Sequence, residues 1–137
     1  MSYLIDLIGR VFDFNERVVG VDTSQLGPLK PMDRKTKEWI HAALKEEATE
    51  LLAADNPIDE IDALVDSMIF AIGGLRRIGL TKRQASLAMT AVLDANDQKA
   101  AGRKASRDFG VPDAIKPEGW VAPEERIEEM LREDKRL

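Results

Sequence analysis

Residues 33–79 read DRKTKEWIHAALKEEATELLAADNPIDEIDALVDSMIFAIGGLRRIG, and this stretch decides the fold. From Arg34 to Ala54 there is no Gly or Pro, and Trp39, Ile40, Ala43, Leu44, Leu51 and Leu52 mark one broad face. A face that repeats every three or four residues is helical, and Asp33 stands where an N-cap belongs. Asp55-Asn56-Pro57 then ends that helix and starts another, because Asn56 is a capping residue and Pro57 is acceptable at a first helical position. Ile58, Ile61, Leu64, Val65, Met68, Ile69, Ile72 and Leu75 carry the second helix to about Arg77, and Gly79 closes it.

Working outward, Tyr3, Leu4, Leu7, Ile8, Val11 and Phe12 predict an amphipathic helix over roughly residues 3–17. Gly20 to Pro31, with Thr23 and Ser24 inside it, reads as a loop. Beyond Gly79, Thr81 caps a further helix running through Ala85, Leu87, Met89 and Val92 to about Ala101 and ending at Gly102. The short link between the helices ending at Arg77 and starting at Thr81 predicts antiparallel neighbours. A polar loop from Arg103 to Val121 follows, and Pro123 opens a charged C-terminal helix whose Ile127, Met130 and Leu131 form only a narrow apolar stripe. No strand of substance and no internal repeat are expected. The chain therefore reads as one all-α domain, 1–137: a four-helix-bundle-type core at about 33–102, then a C-terminal loop and helix at 103–137.

Composition narrows the chemistry. A length of 137 residues suits one core. With 20 basic and 25 acidic residues and a formal net charge of −5, there is no concentrated positive footprint for a nucleic-acid duplex. No cysteine is present and His41 is the single histidine, which excludes disulfides, thiolate metal sites and imidazole-rich zinc sites. Oxygen ligands remain, and those suit Mg²⁺ or Mn²⁺. The first 19 residues are broken by Asp6, Arg10, Asp13, Glu16 and Arg17, so neither a signal peptide nor a membrane span is read there and a cytoplasmic protein is expected.

Acidic residues belong on the wet face of a helix, so those inside an apolar stripe carry the information. Glu47 lies three residues after Leu44 and four before Leu51, with Glu50 one turn further along the same face. On the next helix Asp62 follows Ile58 by four residues and Asp66 precedes Phe70 by four. Two acidic pairs on two successive antiparallel helices would repel one another severely in a partly dry site unless a cation offsets the charge, which predicts a metal. The blander alternative is a solvated face in which Glu46, Glu47 and Glu50 are partnered by Lys45. Further on, Asn96, Lys99, Arg103 and Lys104 supply the positive and amide groups that a phosphate partner needs, although charged residues at a helix C-terminus also serve the dipole and solubility.

These residues resemble a known pattern. Glu46-Glu47-Ala48-Thr49-Glu50 followed by Asp59 to Asp66 is similar to the EExxE and ExxD signature of the MazG-like all-α NTP pyrophosphohydrolase superfamily, which includes dimeric dUTPases and phosphoribosyl-ATP pyrophosphohydrolase. Asn96 and Lys99 resemble its Asn-x-x-Lys segment, and Lys116-Pro117-Glu118-Gly119-Trp120 resembles the tail of a dUTPase-like branch; together the motifs span most of residues 35–121.

The resemblance implies hydrolysis of a nucleoside triphosphate to its monophosphate and pyrophosphate with Mg²⁺, dUTP and phosphoribosyl-ATP being among the substrates of that superfamily. It further implies Glu47, Glu50, Asp62 and Asp66 as metal ligands and Glu46, beside Glu47, as the group that handles the attacking water. Asn96, Lys99, Arg103 and Lys116 are the implied substrate-binding residues; Trp120 either packs on a base or anchors the tail. A homodimer, or a tetramer, is implied as well, with the first and last helices packing across a two-fold axis. The chain departs from the signature at Ala63, where a glutamate is expected three residues before Asp66, and Asp62 or Asp59 is left to replace it. A degenerate helical adaptor that binds nucleotide or metal without turnover is the alternative that this departure supports.

Overall fold

The computed structural model describes residues 2–22 and 27–137, so Met1 and the loop positions Thr23 and Ser24 lie outside the described residues, as does the Leu4 side chain. The chain is mainly helical, with α1 (Ser2–Phe14) continuing into a π-helical turn (Asn15–Val19), then α2 (Arg34–Ala53), α3 (Pro57–Ile78), α4 (Lys82–Asn96) and α5 (Glu124–Glu133). Among the described residues no helix is long and apolar enough to cross a membrane.

Local chemistry sets most of these boundaries. The Asp33 carboxylate accepts from the Thr36 N–H at 2.7 Å and Asn56 Oδ1 from the Asp59 N–H at 2.9 Å, each satisfying a donor that a first helical turn leaves open. Thr81 and Gln84 form a reciprocal capping box at the start of α4. Gly79 takes φ +112°, and a side chain there would press on Leu29 and on Arg136.

The core is asymmetric. Ile8 and Phe12 of α1, Leu80, Ala85 of α4 and Leu131 of α5 form its buried centre, with Ile72, Leu75, Met89, Ile127 and Met130 packed around it. α1 packs against both α3 and α4, which touch one another more sparsely than either touches α1. α5 closes the same end of the molecule. Its stripe is narrow, yet Leu131 is buried within the same chain against Ile8 and Phe12 of α1, while Tyr3, Leu7 and Phe14 on α1 stay exposed. The segment after α5 seals this end: the buried Arg136 guanidinium donates to the carbonyls of Gly27 and Gly79 and to Gln84 Oε1, while its own carbonyl accepts from Leu29 N–H at 2.7 Å.

Two further differences from expectation lie after α4. The helix stops at Asn96 rather than near Ala101, and residues Ala100–Gly102 (β1) pair antiparallel with Asp113–Ile115 (β2) as a small hairpin, with a 3-10 turn at Ala105–Arg107 between them. Non-local packing makes the difference. Ile115 fills the space that a side chain at position 102 would need, Arg107 is ion-paired with Asp113 across the hairpin, and Trp120 Nε1–H donates at 2.7 Å to the Ala95 carbonyl, which also accepts from the Gln98 N–H at the end of α4.

Candidate functional site

α2 and α3 form a tightly packed antiparallel hairpin joined at 54–56, and this hairpin carries the acidic residues. Glu47 faces inward from the middle of α2 and is only 8% exposed, while Glu46 and Glu50, one position before and three after it, are exposed. Asp66 is half-buried on α3. Among the described residues, Glu47 Oε2 is a buried oxygen with no hydrogen-bond partner. Burial holds the Glu47 carboxyl above the usual carboxylate range, reinforced by the charge of Glu50 and a hydrogen bond with it, then by the charges of Asp66 and Glu46. No ion pair among the described residues involves Glu46, Glu47, Glu50, Asp62 or Asp66, so Lys45 does not neutralise them.

A buried carboxylate among other carboxylates, with an orphan oxygen and no basic neighbour, has the chemistry of a cation ligand. The fit to a metal is partial: among the described residues no three Asp, Glu or His side chains stand in position to hold an ion together. Glu47 is drawn together with Glu50, Asp66 and Glu46. Asp62 is not: it is exposed one turn back along α3 and is absent from the groups acting on Glu47. Ala63 is 2% exposed, so a glutamate in its place would have to be buried in the hairpin.

Beside Glu47 and Asp66 lies a cavity of about 710 Å³ between α1, α2 and α3. Its wall is mostly apolar, contributed among others by Phe14, Met68, Ile69 and Phe70, with Arg10, Asn15, Trp39 and Arg77 as further polar or amphipathic members. Asn15 opens the π-helical turn, is 6% exposed, and fits there because Gly73 leaves room for its amide. In the sequence Trp39 reads as one more member of an apolar stripe, Arg77 only marks where a helix ends, Arg10 is a charge that breaks the N-terminal segment, and Asn15 carries no signal.

The expected phosphate-binding residues form a second, separate cluster. Lys99 Nζ and Lys116 Nζ stand 4.8 and 4.9 Å from the centre of the Trp120 ring, and Trp120 is tied to Ala95, next to Asn96. Trp120 is thus an anchor of the tail. Neither lysine has a carboxylate partner among the described residues. Arg103 is exposed and paired with Asp108 at 3.3 Å. Within one chain the two clusters do not meet: α2 and α4 do not pack together, and none of Asn96, Lys99, Arg103, Lys116 or Trp120 lines the cavity.

No protein-family model matches the chain, and neither a curated protein nor a solved structure matches it.

Proposed function

We propose that this protein is a divalent-cation-dependent nucleoside triphosphate pyrophosphohydrolase. The observation that carries the reading is Glu47: a buried carboxylate with an orphan oxygen, close to Glu50 and Asp66, at the edge of a cavity large enough for a nucleoside. The resemblance of residues 46–50, 59–66, 96–99 and 116–120 to MazG-like enzymes supports the same conclusion. Glu47, Glu50 and Asp66 would hold Mg²⁺, with Asp62 an outer candidate. When bound, the cation offsets the carboxylate and phosphate charges and acidifies a water. Glu46, next to Glu47 and exposed, would take the proton. Asn96, Lys99 and Lys116 would stabilise charge on the pyrophosphate side.

For the lysine cluster to serve the carboxylates, a second copy of the chain must supply it. α3 offers the surface: Ile58, Ile61, Leu64, Val65 and Met68 are 45–77% exposed, and Leu52 of α2 is 90% exposed. Five such side chains present on the order of 500 Å² of apolar area, a large part of the ~800 Å² per partner that a standard interface covers. A continuous stripe along one helix is self-complementary about a two-fold axis, so a homodimer is the assembly proposed.

The discriminating experiment is pyrophosphate release from a panel of dNTPs and NTPs with Mg²⁺, against an EDTA control. Turnover that EDTA abolishes supports the hydrolase. Metal-independent turnover, or none with any nucleotide, removes it. A second reading, a binding protein without turnover, is favoured by Ala63 and by the lack of three assembled ligands, and it predicts nucleotide binding with no product.

A further inference from the structure

The cavity beside the carboxylates has two ends of opposite character. Glu47 and Asp66 make one of them acidic. At another part of its wall the Arg77 guanidinium lies over the Trp39 ring, 4.4 Å from its centre, and Trp39 meets Phe70 edge-on with ring centres 5.8 Å apart. Arg77 Nε is buried and has no acceptor, and stacking on Trp39 is the one interaction Arg77 makes among the described residues. A buried donor with no partner is costly, and a guanidinium carries only donors, set in a planar fork. Trp39 itself is 46% exposed, so the aromatic wall is open on the cavity side. Along α2, Trp39 precedes Glu47 by eight residues, about 12 Å of helix, which is the reach of a nucleoside with its first phosphate.

We propose that Trp39 and Arg77 form the base-reading wall of this cavity, selecting nucleotides whose base presents two adjacent acceptors to the Arg77 fork. Guanine (O6 and N7) and cytosine (O2 and N3) have such an edge; uracil, thymine and adenine do not. A base lying in the plane of the guanidinium satisfies the fork and rests its face on the aromatic wall, as a planar ligand does against Trp or Phe. The inference rests on the reading of the carboxylate end as a nucleotide phosphate site, and it moves base recognition from Trp120, which the tail uses as its anchor, to Trp39.

The test is calorimetric binding to the full chain with Mg²⁺ present to offset the carboxylate charges, using nucleoside monophosphates, which have no pyrophosphate to lose, so that turnover plays no part. The probes are dCMP, dGMP, dUMP and dAMP, with deoxyribose 5-phosphate as the ligand that has a phosphate and no base. Expected is about tenfold tighter binding of dCMP and dGMP than of dUMP and dAMP, the discrimination of one bidentate pair, and still weaker binding of deoxyribose 5-phosphate. Arg77→Met should bring the four nucleotides to within about threefold of one another, and Arg77→Gln, which keeps a donor and a polar end, guards against a packing failure and should do the same. Circular dichroism confirms that each variant is folded. Equal affinities in the unsubstituted protein, preference for dUMP or dAMP, no binding of any nucleotide, or an equal loss of deoxyribose 5-phosphate binding in Arg77→Met would each overturn the proposal. If the binding pattern holds while the dNTP panel shows no turnover, the hydrolase reading fails and the base wall stands.

Discussion

The two ends of α3 live in different surroundings. Its C-terminal half, with Ile72 and Leu75, is packed around the Ile8–Phe12–Leu131 core and sealed by Arg76, which donates to the Leu80 carbonyl at 2.9 Å and to Glu16 at 3.1 Å. In its N-terminal half Ala63 is buried, while Ile58, Ile61, Leu64 and Val65 are exposed, and Val65 and Asp66 line the cavity shared with α1 and α2. Asp62 and Asp66 sit in this half, and Asp66 acts on Glu47 of α2. One end thus supplies stability and the other carries unsatisfied chemistry, since buried charge and exposed apolar surface both cost free energy that the closed end must offset. A residue's substitution should therefore affect either stability or function according to the end it occupies.

The largest separation is expected at Glu47. Glu47→Gln should lower turnover by about a hundredfold or more, the scale of one essential charged group, while leaving the helical spectrum intact. Without metal the variant should melt higher than the parent, because a charge disfavoured by burial and by three acidic neighbours has been removed. Undiminished activity at ordinary Mg²⁺ would remove Glu47 from the site.

Ile8→Ala tests the opposite end. Ile8 is fully buried, and its truncation should cost about 2–5 kcal/mol in denaturant titration, with nucleotide binding by the remaining folded protein little changed. A loss much below that range would mean the closed end is not where stability resides.

The third contrast concerns assembly. Leu64→Glu places a charge on the exposed stripe, 51% accessible in the single chain, so it should leave the intrachain core alone and shift a dimer to monomer mass by light scattering at micromolar concentration. If the parent is already a fully active monomer, the two-copy site is wrong. Asp62→Ala is a finer probe: an exposed outer ligand should still raise the Mg²⁺ needed for half-maximal rate about tenfold, and an unchanged Mg²⁺ dependence places Asp62 outside the site.

Which features were legible in the sequence follows the same division. α2 and α3 were readable because their signals are local: Asp33 and Asn56 cap within three residues, and Gly79 ends α3 by its own backbone freedom. Glu47 was readable because a charge inside a 3.6-residue stripe has nowhere to go but inward. The end of α4 was not, since Trp120 reaches back 25 residues to cap it and Ile115 decides where Gly102 pairs. The packing of α1 on both α3 and α4 was equally hidden, because a short link constrains where the next helix starts but not what else packs on the pair. Arg77 carries no local mark at all: what distinguishes it is the absence of an acceptor, visible only once the neighbouring elements are in place.

The smallest expected effect lies in the opposite behaviour of two carboxylates. Asp113, on the hairpin, is held below the usual carboxylate range by its hydrogen bonds from Arg107 and then from its neighbour's backbone N–H, whereas Glu47 is held above it by burial and acidic neighbours. A lowered folded-state pKa contributes stability that is present above the unfolded value of 3.8 and is lost as pH falls through the lowered one. A raised one penalises the fold at neutral pH, and the penalty disappears as pH falls through the raised value towards the unfolded 4.5. Melting in EDTA between pH 7 and pH 3 should therefore show Asp113→Asn slightly less stable than the parent at pH 7, the gap closing only below 3.8. Glu47→Gln should be more stable at pH 7, its advantage already gone by pH 4.5. Because the Arg107 partner is more than half exposed, the Asp113 difference should also shrink with added salt, while the Glu47 difference, arising first from burial, should persist. Two differences that close at the same pH would mean that the paired and the unpaired carboxylate share one environment, and the contrast between the hairpin and the α2–α3 site would fall with them.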